Sequence, residues 1–369
     1  MMGGSRLRAA MPPARLACFA CLVLAALGVG LARPPAPVAA ARALPATFSS
    51  VHTFPHTVPR VWVADGGSGA PSPASARVDV SGRAPNELGR VLILEYHRIW
   101  NPDGPWQRST AGFRRDLERL YAAGFRSVSL HDVLANRIDL PLGASPVVFT
   151  FDDSYVSQLW FTADGTPAAD SAVGIMQRFA ADHPDFGLHG VFYVTWNTLF
   201  GGPGAQRTDR LRFLVDHGFE LGNHTLSHAD LSRGTPASVQ RELGQEQAFV
   251  RQALGGYDMQ TMALPYGNWP RDRTLAQAGT DGTAAYRFQA ILQVGSEPAP
   301  APASAAFNPL ILPRVQAGEQ LLSYWLTWFD QHPDDRYVSD GDPACVAYPA
   351  RLSARLRADA AQRWTLKPY

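Results

Sequence analysis

Short, mostly apolar runs at 91–96, 127–130, 147–151, 190–194 and 219–223 alternate with segments at 113–123, 172–181 and 211–217, where apolar residues recur at helical spacing. The first pattern marks strands buried on both faces, and the second marks helices with one apolar face. Their alternation predicts parallel βα units. Further along, the Pro- and Ala-rich stretch 296–306 is expected as an exposed loop. Residues 320–329 read as an amphipathic helix packed on the preceding domain, and 353–364 as a terminal helix.

The pattern changes before residue 90. Arg6, Arg8 and Arg15 precede an apolar stretch, 16–31, and small residues and prolines follow. A positive start and an apolar core of this kind read as a secretory signal over 1–32, with cleavage between 32 and 43. A retained N-terminal anchor is the alternative, since sixteen residues lie near the lower limit for a span. Residues 33–88 are rich in Pro, Ala, Gly and Ser and read as a linker, with 58–64 as a candidate short strand. The chain would then be secreted or held in the cell envelope, with peripheral or no membrane contact once the leader is cut. Of three cysteines, Cys18 and Cys21 lie in the leader, so the mature chain keeps Cys345 alone and has no internal disulfide. A net charge of +1 without a basic run argues against a nucleic-acid footprint. A monomer is expected.

The chemistry concentrates at two places. The run Val147–Phe151 ends in Asp152 and Asp153, at the C-terminal end of a buried strand, where α/β sheets and barrels build their sites. Neighbours on an extended strand face opposite sides, so the two carboxylates can serve different centres. About seventy residues on, a second apolar run ends at His224 and His228. If that segment turns helically, the two imidazoles share a face. One Asp and two His leave coordination positions open, which suits a catalytic zinc or a similar divalent ion. Each half alone has an ordinary alternative, a turn or cap for the aspartates and a surface pair for the histidines.

These residues resemble the polysaccharide deacetylases of the NodB-homology type, carbohydrate esterase family 4. Thr150-Phe151-Asp152-Asp153 is similar to the family's first motif, His224-Thr225-Leu226-Ser227-His228 to its second, and Leu264-Pro265-Tyr266-Gly267 to its third. Leu94-Glu95-Tyr96-His97-Arg98-Ile99 resembles the first barrel strand, and Leu312-Pro313-Arg314-Val315 a late one. The resemblance covers roughly 89–320 and implies an α/β fold, a distorted (β/α)7 barrel, with 321–369 as a C-terminal helical extension packed on it. It implies Asp152 as general base, Asp153, His224 and His228 as ligands of a divalent metal, Zn2+ in first place with Co2+ or Ni2+ acceptable, and the Tyr266 N–H as an oxyanion donor. The implied reaction is removal of N-acetyl, or in a close variant O-acetyl, groups from an acetylated polysaccharide.

The chain departs from the family in three ways. Ser154 stands where Gly is usual, Ala263 stands where an Arg is usual, and no Leu-x-His occurs between Ala290 and Val315 to protonate the leaving amine. Arg314 is the candidate replacement for the missing cation. His97, at the end of an apolar strand on the same rim, is the first candidate for the missing acid, with hydrogen-bonded support as its other reading. Trp160, Trp196, Tyr266 and Trp269 lie beside the motifs, and with Pro265 they are the candidate sugar-binding residues, against ordinary packing under loops. A carbohydrate-binding protein with a retained metal site and little turnover is the alternative function that these departures suggest.

Overall fold

Strand β1 (Arg90–Tyr96) and strand β3 (Ser145–Phe151) set the architecture, because nearly every residue in them is buried. Their side chains divide by parity. Leu92, Leu94 and Tyr96 join Val147, Phe149 and Phe151 in one core cluster that includes Phe113, Leu117 and Leu120 of helix α1 (Thr110–Ala122). Val91, Ile93 and Val148 face the other way, into a second cluster with Val191, Tyr193, Ala263, Ala290, Leu292 and Leu312. A continuous apolar strand is thus satisfied on both sides, by helices outside and by other strands inside.

The computed structural model describes Val80 and residues 82–202 and 204–369. The expected leader, most of the linker and the candidate strand at 58–64 lie outside the described residues. Between β1 and β3 the short strand β2 (Phe125–Ser127) pairs with the start of β3. Strands β4 (Val191–Val194), β5 (Glu220–Asn223), β6 (Thr261–Ala263) and β7 (Ala290–Leu292) then follow in order, each parallel to the one before it. Leu312 bridges Leu292 in parallel, and strand β8 (Val315–Gln316) pairs in parallel with Leu94 and Glu95 of β1. The ring therefore closes through seven strands among the described residues (β1, β3, β4, β5, β6, β7 and β8), a distorted (β/α)7 barrel.

Helices α2 (Ala172–Asp182), α3 (Gly204–Asp216) and α4 (Pro236–Leu254) connect successive strands. Hydroxyl caps start α1, α2 and α4: Ser109, Ser171 and Thr235 accept the backbone N–H of the residue three places on. Helix α5 (Glu319–Gln331) falls where the amphipathic pattern places it.

Three segments differ from the sequence reading. Residues 296–306 do not form an exposed loop: Ala299, Ala301 and Ala303 are fully buried, and Ala299–Pro300 pairs antiparallel with β1. Alternate alanines form a narrow strand-like face here, which composition alone reads as loop. The segment 353–364 is not one helix. The Arg355 carbonyl accepts from Ala305, and the Arg357 N–H donates to the Ala303 carbonyl, so the backbone bonds across rather than along. Finally, Asn86 and Glu87 of the expected linker are packed and bond to Val338 and Ala347. They tie the start of the domain to a C-terminal strand pair, β9 (Cys345–Tyr348) and β10 (Thr365–Pro368).

Candidate active site

Strand parity carries Glu95 and Thr150 into the barrel, and Asp152, just past β3, continues that inward face. All three are buried, and Arg314, entering from just before β8, is fully buried among them. Its guanidinium grips Asp152 at both oxygens, with Nη1 donating to Oδ1 at 2.8 Å and Nη2 to Oδ2 at 2.7 Å. Nη1 also donates to Thr150 Oγ1 at 3.0 Å and Nε to the Gln293 carbonyl at 2.9 Å. Burial pushes the Asp152 pKa up, but the charges of Arg314 and His224 outweigh it and hold the carboxyl below its usual range. Arg314, expected as the replacement for the cation missing at Ala263, thus pairs with Asp152.

Asp153 leaves the strand in a left-handed conformation, φ 72°, and Ser154 follows at φ 52°. That turn aims Asp153 away from the barrel interior and toward the histidines. Left-handed backbone costs a non-glycine residue about 1–2 kcal/mol, and Ser154 offsets this through its hydroxyl, which accepts the Thr195 N–H at 2.9 Å. Gly is the cheaper residue for this conformation, and the hydrogen bond explains how Ser stands in for it.

The two histidines meet Asp153, though not from a helix. The segment after β5 is a turn in which Thr225 and His228 take φ 66° and 57°. Asn223 Oδ1 accepts the Thr225 N–H at 2.9 Å, and Thr225 Oγ1 accepts the Ala229 N–H at 2.9 Å, so local side-chain bonds replace helical ones. His224 Nε2 lies 3.2 Å and His228 Nε2 3.0 Å from Asp153 Oδ1. His224 Nδ1 is 2.8 Å from the Ala263 carbonyl, which can only accept. Nδ1 therefore carries a proton, which it donates to that carbonyl, and Nε2 is the nitrogen directed at the Asp153 oxygen.

A carboxylate oxygen facing two imidazole nitrogens at these distances is satisfied by a cation between them, either protons on the rings or a metal ion. Asp153 Oδ1 is buried with no aligned hydrogen-bond donor among the described residues. Ligand atoms about 2.1 Å from one tetrahedral ion stand about 3.4 Å apart, close to the separations seen here. The donor set of one carboxylate oxygen and two imidazole nitrogens fits a divalent transition metal.

Glu95, which the sequence reading passed over as a functional group, lies beneath. Its Oε2 is 3.5 Å from Arg314 Nε and its Oε1 3.8 Å from His97 Nε2. Burial is the main cause that pushes its pKa up, to about 7, and Arg314 opposes the shift. His97 Nε2 is also 4.0 Å from Asp153 Oδ2, so His97 does face the cluster. Burial lowers its pKa, against the pull of Asp152 and Asp153. Gln158 Nε2 donates to the backbone carbonyls of both His97 and Asp152, which fixes the two loops to each other.

The aromatic candidates separate. Tyr266, at φ 59°, is 62% exposed and sets its ring edge-on to His228 at 4.6 Å, directly after buried Pro265. Trp160 is part-buried and meets Trp100 edge-on at 6.0 Å. Trp196 instead stacks on Phe249 at 5.0 Å, and Trp269 packs in the cluster under α4 with its Nε1 buried. Trp100 and Trp106 were missed: both are about half exposed, and Trp106 lies 4.9 Å from the His97 ring. They follow β1 directly, in the first loop on the C-terminal face, which is a signal that the barrel rule supplies.

A parallel barrel that gathers a carboxylate–histidine cluster and an arginine-paired second carboxylate at the C-terminal end of its strands holds a group of side chains able to take a metal ion. Residues 140–283 match the family model described as polysaccharide deacetylase. That span holds Asp152, Asp153, His224, His228 and Tyr266, whereas Glu95, His97 and Arg314 lie outside it. A chitooligosaccharide deacetylase of a Bradyrhizobium species is 37% identical over 84 residues, 23% of this chain and 38% of that protein. One of Sinorhizobium fredii is 31% identical over 83 residues, 22% of this chain and 39% of that protein. The chain thus spans about two fifths of the curated relatives it matches. Among solved structures, a Streptococcus pyogenes deacetylase in complex with acetate is similar at 18% identity and TM-score 0.48, covering 62% of this chain and 92% of that one.

Proposed function

We propose that this chain is an exported, metal-dependent hydrolase that removes N-acetyl groups from an amino-sugar polymer, with O-acetyl groups as the close variant. The observation that carries the reading is the pair of adjacent carboxylates with separate partners: Asp153 with His224 and His228, and Asp152 with Arg314. The relatives named as chitooligosaccharide deacetylases support the substrate class. The basic, then apolar, N-terminus supports export.

Asp153, His224 and His228 would hold the ion, and their mixed nitrogen and oxygen set suits zinc, with cobalt or nickel as substitutes. Bound there, a divalent ion polarises a carbonyl and acidifies a water. Asp152 accepts the proton of the attacking water, and Arg314 keeps that carboxylate ionised and fixed in orientation. The Tyr266 N–H donates to the oxyanion that forms at the acetyl carbon. His97 hands a proton to the leaving amine, with Glu95 behind it to stabilise the imidazolium.

A binding-only reading drew on Ala263, and Arg314 on Asp152 weighs against it. Acetate release from N-acetylglucosamine oligomers tests the proposal: it should occur, stop with a chelator and return with zinc. No acetate from any N- or O-acetylated glycan, with metal-loaded protein, would overturn it.

A further inference from the structure

The loop that leaves Asp153 reaches a second feature at its far end. A cavity of about 300 Å³ opens there, lined by Trp160, Phe161 and Thr162 from the loop and by Gln206, Asp209 and Arg210 from α3. Arg210 has two buried guanidinium nitrogens, Nε and Nη1, with no hydrogen-bond partner among the described residues. Neighbouring Asp209 forms no ion pair with it. Arg210 itself is part-buried, and a guanidinium with two nitrogens unmatched beside an open cavity gains from an anion that binds it. Gly202 makes room for this arrangement: a Cβ there would stand 1.9 Å from Arg210 Nη1.

The other lining groups narrow the ligand. Trp160 and Phe161 offer flat apolar surface, as sugar faces require, while Thr162, Gln206 and Asp209 can exchange hydrogen bonds with hydroxyls. Asp209 disfavours a dianion such as a phosphate monoester, but tolerates a single negative charge held by Arg210. The cavity also continues the rim. Trp106 lies on His97, the Trp100 N–H donates to the carbonyl of Arg108 two residues beyond Trp106, and Trp100 meets Trp160.

We infer that this cavity is a subsite for a sugar residue bearing a carboxylate, which would select polymers that carry carboxylated sugars near the N-acetylated one. The inference rests on the deacetylase reading only for its biological purpose, since the binding it describes can be measured without turnover. The probes are an oligosaccharide alternating N-acetylglucosamine with glucuronate and a neutral N-acetylglucosamine tetramer. Each is titrated calorimetrically into the full chain, and acetate release is followed in parallel.

The wild type should bind the carboxylated probe about tenfold more tightly than the neutral one. Arg210→Met should remove that preference while neutral binding stays within about twofold, and Arg210→Lys should keep part of it. Gly202→Ala, at φ −91° where alanine is unstrained, should weaken only the carboxylated probe by displacing the guanidinium. Equal affinity of the wild type for both probes, or equal losses for both in Arg210→Met, would overturn the subsite. Preference without acetate from either probe would leave the subsite standing and count against the deacetylase reading. Acetate release without preference would do the reverse.

Discussion

Replacing Arg314 with methionine should test the interior of the barrel most severely. The side chain is fully buried and makes four hydrogen bonds, two to Asp152 and one each to Thr150 and Gln293. Methionine fills most of the volume but leaves Asp152 buried without an ion pair among the described residues. Breaking a buried pair from one side costs about 3–5 kcal/mol, a large part of a domain's total stability. The reverse change, Asp152→Asn, should cost less, because Arg314 keeps Glu95 at 3.5 Å from its Nε. The double variant should lose less than the two single losses added, with a coupling of about 3 kcal/mol. Urea titrations of chelator-treated protein measure all three without interference from a bound ion. If Arg314→Met stayed within about 1 kcal/mol of the wild type, or if Asp152→Asn proved the costlier change, the assigned roles of Arg314 and Glu95 would be wrong.

Further outcomes follow from the same geometry. Asp153→Asn should abolish the rise in melting temperature that zinc gives the wild type, whereas Asp152→Asn should keep that rise and lose acetate release, as read by thermal scans with and without metal. Ser154→Ala should lose about 1–3 kcal/mol, because it strips the Thr195 N–H of its partner and keeps the left-handed strain, while Ser154→Gly relieves that strain and should be the more stable of the two. Burial pushes Glu87 up to about 7 from 4.5, above its unfolded value, so its contribution is complete below about 4.5, falls as pH rises, and is lost above about 7. That window is worth about 3 kcal/mol, and Glu87→Gln should therefore narrow the stability difference between pH 5 and pH 8 in urea titrations. An unchanged difference would remove Glu87 from the account.

The strands and the rim position of the paired aspartates were legible because a doubly buried strand has a compositional mark and the site sits where it ends. The histidine geometry was less so. Spacing of four suggests a helix, but Thr225 and His228 converge through left-handed turns held by Asn223 and Thr225 side chains, which spacing does not encode. Ala299, Ala301 and Ala303 misled for a related reason, since proline and alanine read as loop whether or not alternate methyls are buried. Glu95 was hidden inside an apolar strand: nothing local says that its inward neighbour is an arginine more than two hundred residues away in sequence.

The two adjacent carboxylates show how a strand end divides labour. Asp152 continues the inward parity of β3, so it inherits the dry interior, where the guanidinium of Arg314 has its full effect and a carboxylate can stay ionised as a base. Asp153 escapes that parity only because the backbone turns left-handed, and the turn places it on the rim, where histidines from the next loops can reach it. Moving the turn by one residue would exchange the two environments, and with them the roles proposed for the two carboxylates. The left-handed turn at Asp153 and Ser154 therefore sets which carboxylate faces which environment, and the Ser154 hydroxyl anchors that turn to Thr195.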